Sequence, residues 1–100
     1  MTIRYTPELL EYMDKKNNHT ILVELVEIQN TDLEVVDLHV YLPHPRQKEK
    51  FLQEKKYRKV TTDVGDVLLP SYPLQIEEEV TFGLKKMWIF TSLSCEGIKI

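Results

Sequence analysis

The stretch HTILVELVEIQNTDLEVVDLHVYL, residues 19–42, decides the fold class of this chain. Apolar side chains recur at every second position, first at Ile21, Val23 and Leu25 and then on the opposite face at Val26 and Ile28. A period of two is the pattern of a β-strand. The change of face predicts a bulge, or a strand that is apolar on both sides.

A second strand is predicted over residues 33–42, after a turn at Asn30-Thr31-Asp32. Apolar residues again take every second position there, and His39 lies on the opposite face from them. Pro43-His44-Pro45 ends the strand, because proline has no N–H to donate to a neighbouring strand.

Upstream of these strands, residues 7–16 predict an amphipathic helix. Thr6 suits the N-cap, Pro7 suits the first helical position and Asn17 suits the end of the helix. Leu9, Leu10 and Met13 fall on one face, which we expect to pack on the sheet.

Downstream, short strand patterns alternate with turns. Residues 57–62 and 67–69 predict one hairpin, residues 76–82 and 87–93 predict another that turns at Gly83-Leu84-Lys85-Lys86, and residues 98–100 predict a last edge strand. The fold class predicted for residues 1–100 is therefore mostly β (α+β). We expect one compact domain, an antiparallel β-sandwich or rolled sheet with one N-terminal amphipathic helix.

Composition narrows the classes of protein to which the chain can belong. The 100 residues are 42% apolar and 29% charged, which is ordinary for a globular domain, and the net charge is −3. One cysteine allows no disulfide within the chain, which favours a reducing compartment. No apolar run is long enough to span a bilayer, and residues 1–10 do not resemble a secretory signal. We expect a cytoplasmic protein that makes no membrane contact.

Residues 46–59, RQKEKFLQEKKYRK, carry seven basic residues against two glutamates, in a chain that is otherwise acidic. We expect a solvent-exposed loop with one helical turn near Phe51 and Leu52. An alternative is a nucleic-acid-binding segment, in which Phe51 and Tyr57 would stack on bases. The negative net charge makes nucleic acid the less favoured partner.

The order of these parts resembles the HesB-like family, the fold of the A-type iron–sulfur carriers, and is most similar to its small members with a paired cysteine or selenocysteine motif. The resemblance lies in residues 3–12 (a strand and a Thr-led helix), in the hairpin at 57–69 and in the ending Gly97-Ile98-Lys99. It implies a HesB-like fold. The family's paired cysteines would fall at Asn30-Thr31-Asp32, and its C-terminal pair would fall near Cys95. This chain therefore lacks the ligating cysteines.

Metal ligation would have to use Cys95, His39 and His44. His39 and His44 are separated by the strand end, so three distant groups would have to converge on one ion. The predicted cofactor is therefore none, and the alternative is iron or an iron–sulfur cluster held by Cys95 from two chains. Glu96 beside Cys95 argues against a reactive thiolate.

No catalytic constellation is evident. The chain has no glycine-rich phosphate loop and no metalloprotease or hydrolase motif, and Glu77-Glu78-Glu79 fits a solvated edge strand better than an acid–base pair. We therefore expect a protein that is not an enzyme and that acts through protein contacts.

The predicted contact surface lies in the C-terminal strands. Met87-Trp88-Ile89-Phe90 would place large apolar side chains on both faces of one strand, which a small monomer cannot cover. Residues 98–100 would offer an unpaired edge. We therefore expect a homodimer through Trp88, Phe90, Ile98 and Ile100, and a further protein partner is compatible with this surface.

Overall fold

Strands dominate this chain, as the alternation of its apolar residues predicts. The computed structural model describes residues 1–30, 33–71 and 74–100. In chain order those residues form seven strands and two helices: β1 (Thr2–Tyr5), α1 (Pro7–Lys16), β2 (Ile21–Asn30), β3 (Leu33–Tyr41), α2 (Pro45–Gln53), β4 (Arg58–Thr61), β5 (Asp66–Leu69), β6 (Gln75–Met87) and β7 (Phe90–Lys99). The mostly-β fold class is confirmed, with two helices where one was expected.

The strands form two sheets, and each sheet mixes parallel and antiparallel neighbours. In the first sheet β6 lies between β1 and β7, and in the second the order is β3-β2-β5-β4. β1 runs parallel to β6 and β2 runs parallel to β5, whereas the other neighbours are antiparallel. The expectation of a purely antiparallel arrangement is wrong. Parallel neighbours need long connections, and residues far apart in the chain leave no local signal of their pairing.

The strands on either side of the two predicted turns before residue 70 pair as antiparallel hairpins. β4 and β5 pair as predicted, with Thr61 opposite Asp66 across the turn. β2 and β3 pair over their full length, from Leu22 opposite Tyr41 to Asn30 opposite Leu33. The turn predicted at Asn30-Thr31-Asp32 includes residues 31 and 32, which lie outside the described ranges.

α1 covers the core through two of its three predicted contact residues. The Thr6 hydroxyl accepts a hydrogen bond from the Leu9 backbone N–H at 3.4 Å, and Asn17 ends the helix with a φ of 49°. Leu9 and Met13 are fully buried, whereas Leu10 is partly exposed, so the expected contact through Leu10 is wrong. The main core receives residues from α1 and from both sheets: Leu9, Met13, Ile21, Val23, Val67, Leu69, Val80, Phe82 and Ile98.

The basic segment 46–59 is ordered and largely helical, so the expected exposed loop is wrong. α2 occupies Pro45–Gln53, with proline at its start and the Gln47 side chain accepting a hydrogen bond from the His44 backbone N–H at 3.0 Å. Phe51 is only 4% exposed and packs in a second, smaller core with Leu22 and Leu68. The helix forms because Phe51 on one face is buried while Arg46 and Lys50 remain exposed.

The β6–β7 hairpin turns later in the chain than expected. β6 continues through Gly83 and the two lysines to Met87, and Met87 pairs with Phe90 across a two-residue turn of Trp88 and Ile89. Gly83 lies within β6, at a position where a Cβ would lie 2.7 Å from the Ser94 Oγ on β7. The expected turn at residues 83–86 is therefore wrong.

The same hairpin contains a large irregularity near its base. Ile76 pairs with Ile98 and Thr81 pairs with Glu96, so residues 77–80 of β6 face only Gly97 of β7. Gly97 has a φ of 98°, and a Cβ there would collide with the carbonyl oxygen of Glu79. The irregularity carries the three glutamates at residues 77–79, all of which are exposed. Glu79 forms an ion pair of 2.6 Å with Arg4 of β1, as expected for a solvated strand.

Candidate functional site

The hairpin tip, residues 87–90, is the most exposed apolar surface that the structure describes. Relative exposure is 58% for Met87, 100% for Trp88, 90% for Ile89 and 72% for Phe90. The expectation that these residues form one strand with two apolar faces is wrong, because the chain reverses between them. The four side chains of the tip are more exposed than a two-faced strand would leave them, because none of them packs in either core. Contiguous exposed apolar side chains mark an interaction site.

The backbone at the tip is also in a conformation that Trp88 does not favour. Trp88 has a φ of 57°, whereas the φ of Ile89, the second residue of the turn, is not positive. Positive φ at the first of two central residues is the pattern of a type II′ turn, which strongly prefers glycine there. A bulky side chain at positive φ is a genuine outlier. Trp88 therefore adds backbone strain to the cost of its complete exposure to water.

The charge next to the tip is positive. Lys85 and Lys86 precede Met87 and are exposed, and Thr91 and Ser92 follow Phe90 on the other arm. The sequence contains no acidic residue between Glu79 and Glu96. A partner surface that covers the tip would gain from negative charge at its rim.

A cleft lies beside the tip, between the edges of the two sheets. β3 ends the second sheet and β7 ends the first, so the cleft separates two strands that do not pair with each other. Its volume is about 670 Å³, and its apolar lining comes from both strands: Leu38, Val40, Leu93, Cys95 and Ile98. Glu96 and Lys85 add opposite charges to the lining. The cleft is large enough to accept large side chains, and its lining combines apolar side chains with Ser92, Ser94 and the two charged groups.

Cys95 lies in this cleft as an un-ionised thiol. Burial raises the pKa of the Cys95 thiol to about 11, and the negative charge of Glu96 raises it further in the same direction. A thiol with this pKa is neutral at physiological pH, which disfavours nucleophilic or redox chemistry. Its place in the cleft is that of a small apolar wall residue.

The three candidate metal ligands are not brought together. Leu38 and Val40 of β3 line the cleft with Cys95, so His39 projects from the opposite face of the strand. There the His39 ring lies 3.7 Å from an Asp37 carboxylate oxygen. His44 is at the N-cap of α2. Within residues 1–30, 33–71 and 74–100, no group of three or more histidine, cysteine or acidic side chains is placed to hold one ion.

The aromatic side chains of the basic segment are engaged inside the domain. The rings of Phe51 and Tyr57 meet edge to face with centroids 4.8 Å apart, and the Tyr57 hydroxyl accepts a hydrogen bond from the Leu25 backbone N–H at 3.0 Å. Lys48 forms an ion pair of 2.8 Å with Asp66. The aromatic residues that would stack on bases in the alternative hypothesis therefore form part of the fold.

The predicted partner residues divide into exposed and buried ones. Trp88 and Phe90 are exposed at the tip, and Ile100 is 46% exposed. Ile98 lies in the edge strand β7, but its side chain is only 9% exposed and belongs to the main core, so its assignment to the exposed partner surface is wrong. The cleft was not foreseen from the sequence, because it depends on how β3 and β7 approach each other. The Lys-Lys-Met-Trp-Ile-Phe run is the signal by which the exposed tip could have been located.

Among the residues that the structure describes, neither helix has the length and apolar character needed to cross a bilayer.

Comparison of the chain with models of protein families, with curated proteins and with solved structures found no match. A function for this chain must therefore be inferred from its own residues.

Proposed function

We propose that this chain is a non-enzymatic binding domain that acts through protein contacts, and that its contact surface is the hairpin tip. The observation that carries the proposal is Trp88, which is fully exposed and has a φ of 57°. Both properties oppose stability, because the indole is left in water and glycine would suit the turn better. A residue that is unfavourable for the folded monomer at a surface turn is evidence for a role outside the monomer.

The residue types of the tip suit a protein interface. Tryptophan is among the side chains that contribute most to binding free energy at interfaces, and aromatic residues and methionine are enriched there. Two exposed lysines behind the tip add a charge that can orient a partner. The remainder of the domain holds the tip at the end of a long antiparallel pair, β6 and β7.

A photo-crosslinking residue placed at position 88 tests this function in cells. We expect irradiation to join the tip to a defined protein, and we expect a second substitution, Ile89→Asp, to abolish the product. The matched control carries the same crosslinker at Glu54, which is exposed at the end of α2. Identical products from positions 88 and 54, or no product from position 88, would contradict the proposal.

The alternative of iron or iron–sulfur carriage makes a different prediction. It requires a Cys95 thiolate from each of two chains, and burial opposes that ionisation. Our proposal, which keeps the HesB-like resemblance as a prediction about fold alone, expects no stoichiometric iron in protein purified without oxygen. About one iron per chain, lost in Cys95→Ser, would favour the carrier instead.

A further inference from the structure

We propose that the exposed cations of residues 46–59 form a second binding surface, which takes the phosphate backbone of a nucleic-acid duplex. This surface, the basic face, consists of six exposed side chains: Arg46, Lys50, Lys55, Lys56, Arg58 and Lys59. It lies on α2, on the loop that follows and on β4, whereas the hairpin tip lies between β6 and β7. The inference therefore goes beyond the proposed function and does not depend on it.

The first step is the distribution of charge along the chain. Residues 46–59 contain seven basic residues and two glutamates, a net charge of +5, which leaves −8 on the rest of the chain because the total is −3. At physiological salt the Debye length is about 8 Å, so a phosphate responds to nearby charges and hardly at all to distant ones. The negative total therefore does not oppose an anionic ligand at this face.

The second step is the position of the cations relative to α2. Arg46 and Lys50 lie on the same side of the helix, because residues four apart are stacked one above the other. Lys59 lies on the side of β4 that faces α2, because it pairs with Leu68, and Leu68 packs with Phe51 of the helix. The helix and the edge strand therefore present their cations on one side of the second sheet.

The third step is the order of the loop between α2 and β4. The Lys55 N–H donates a hydrogen bond to the Lys50 carbonyl at 3.2 Å, and the Ser71 hydroxyl donates one to the Lys56 carbonyl at 2.5 Å. Lys56 has a φ of 56°, which is uncommon for a residue other than glycine. The Lys55 ammonium lies 5.2 Å from the centre of the Phe51 ring. A backbone that is already ordered loses less conformational freedom when a ligand binds.

The fourth step is that the fold leaves these charges uncompensated. In the part of the chain that the structure describes, the ion pair from this segment is the one between Lys48, which is outside the basic face, and Asp66. The six cations and the exposed Glu49 and Glu54 together carry a net charge of +4. Charge of one sign repels itself in the folded chain, and an anionic ligand relieves that repulsion. Phosphate oxygens are strong acceptors for lysine and arginine.

The fifth step identifies the anion. α2 has nine residues and is therefore about 13 Å long, and a duplex carries about eight phosphate charges over that length of its axis. Sites for single strands add aromatic side chains on which bases stack, but Phe51 is buried and the Tyr57 hydroxyl is bonded to the Leu25 backbone. A helix that lies on a bilayer inserts its apolar side, and α2 buries that side in the smaller core.

The salt dependence of binding tests the phosphate contact. A fluorescein-labelled DNA duplex of about 20 base pairs is titrated with the full chain, and anisotropy is measured between 50 and 200 mM salt. If four of the cations contact phosphates, the slope of log K against log salt concentration is about −3.6, and affinity falls about 150-fold over this range. A fall of less than tenfold, or no binding at 50 mM salt, would contradict the proposal.

Two pairs of substitutions locate the contact. Arg46→Gln with Lys50→Gln removes two cations while glutamine preserves the helix, so we expect a slope of about −1.8 and at least tenfold weaker binding at 50 mM salt. The matched control, Lys15→Gln with Lys16→Gln, makes the same charge change in the last turn of α1 and should stay within twofold of the parent chain. Circular dichroism checks that both variants are folded. Equal losses in the two variants would show that total charge governs binding and would overturn the basic face.

Two further ligands test the choice of a duplex. A single strand of the same sequence should bind at least tenfold more weakly than the duplex, and equal affinity would overturn the duplex assignment. Binding to phosphatidylserine vesicles that is lost in Arg46→Gln with Lys50→Gln, without binding to the duplex, would assign the face to a bilayer instead. The photo-crosslink from position 88 reports on the proposed function separately, because the basic face contains no residue of the tip.

Discussion

Replacement of Trp88 by glycine should stabilise the folded chain while it removes the contact surface. The reason is that two features of Trp88, its φ of 57° and its complete exposure, make it a poor residue for the monomer. Glycine adopts positive φ without a steric penalty. Loss of the indole costs nothing in packing, because it contacts no core residue.

The magnitude follows from the turn. A non-glycine residue in a sparsely populated backbone region costs about 1–3 kcal/mol. Glycine also has more conformational freedom in the unfolded chain, and this lowers the expected gain in stability by about 0.5–1 kcal/mol. The net expectation for Trp88→Gly is a gain of about 1 kcal/mol in the free energy of unfolding, which raises the Tm of a domain of this size by about 4–8 °C.

Trp88→Ala is the matched control, since it removes the same indole and keeps a Cβ at positive φ. We expect its stability to stay within about 0.5 kcal/mol of the parent chain. Urea unfolding followed by circular dichroism measures both variants, at protein concentrations low enough that association adds nothing to stability. If Trp88→Gly is no more stable than Trp88→Ala, the strained turn is refuted, and only the exposure of Trp88 then supports a contact role.

Four further substitutions test the fold that holds the tip. Gly97→Ala should lower the free energy of unfolding by about 3 kcal/mol, because it adds a clash with a β6 carbonyl to an unfavourable φ, and an unchanged urea midpoint would contradict this. The hydrogen bond from Lys48 holds the pKa of Asp66 below its usual 3.8, so its contribution to stability is present above that pH and is lost as pH falls through the lower folded-state value. Lys48→Met should therefore flatten the decline in stability below about pH 4, and equal slopes in the two proteins would count against the ion pair. Leu9→Ala should cost about 2–5 kcal/mol and Leu10→Ala less than about 1 kcal/mol, and similar losses in both would show that the helix face is misplaced.

Local sequence patterns predicted where the strands lie better than they predicted which strands pair. Alternation predicted long strands over residues 19–28 and 33–42, which lie at Ile21–Asn30 and Leu33–Tyr41, and the strand patterns at residues 57–62 and 67–69 predicted the hairpin of β4 and β5. No such pattern links Thr2 to Glu79 or Ile21 to Val67, the pairs that make each sheet partly parallel. These pairings depend on the packing of the whole domain.

The predictions for residues 46–59 and for the turn at Gly83 were wrong because they relied on residue type more than on the position of each residue in its element. The basic run hid α2, although Pro45 at its start and Phe51 on its buried face are ordinary helix signals. Gly83 suggested a turn, but it lies within β6, where a Cβ would lie 2.7 Å from the hydroxyl oxygen of Ser94. A glycine near a hairpin can therefore serve strand contact, while the turn itself is made by residues that suit it poorly.

The candidate site was predictable only in part. The run from Met87 to Phe90 indicated a partner surface, and the structure exposes it at a tip. The positive φ of Trp88 and the cleft that holds Cys95 depend on tertiary geometry, so no sequence pattern could reveal them.

The pairing of β1 with β6 also determines when this domain can fold during synthesis. Thr2 pairs with Glu79, so from residue 2 to residue 79 the separation is 77 positions. The four strands of the second sheet lie between residues 21 and 69 and emerge from the ribosome before β6 and β7. Until β6 follows, β1 has no neighbour, and Ile21 and Val23 lack the Val80 and Phe82 side chains of their core. A nascent chain of which only about the first 70 residues have left the ribosome should therefore be a substrate for chaperones that bind exposed apolar strands, and emergence of β6 and β7 should end that binding.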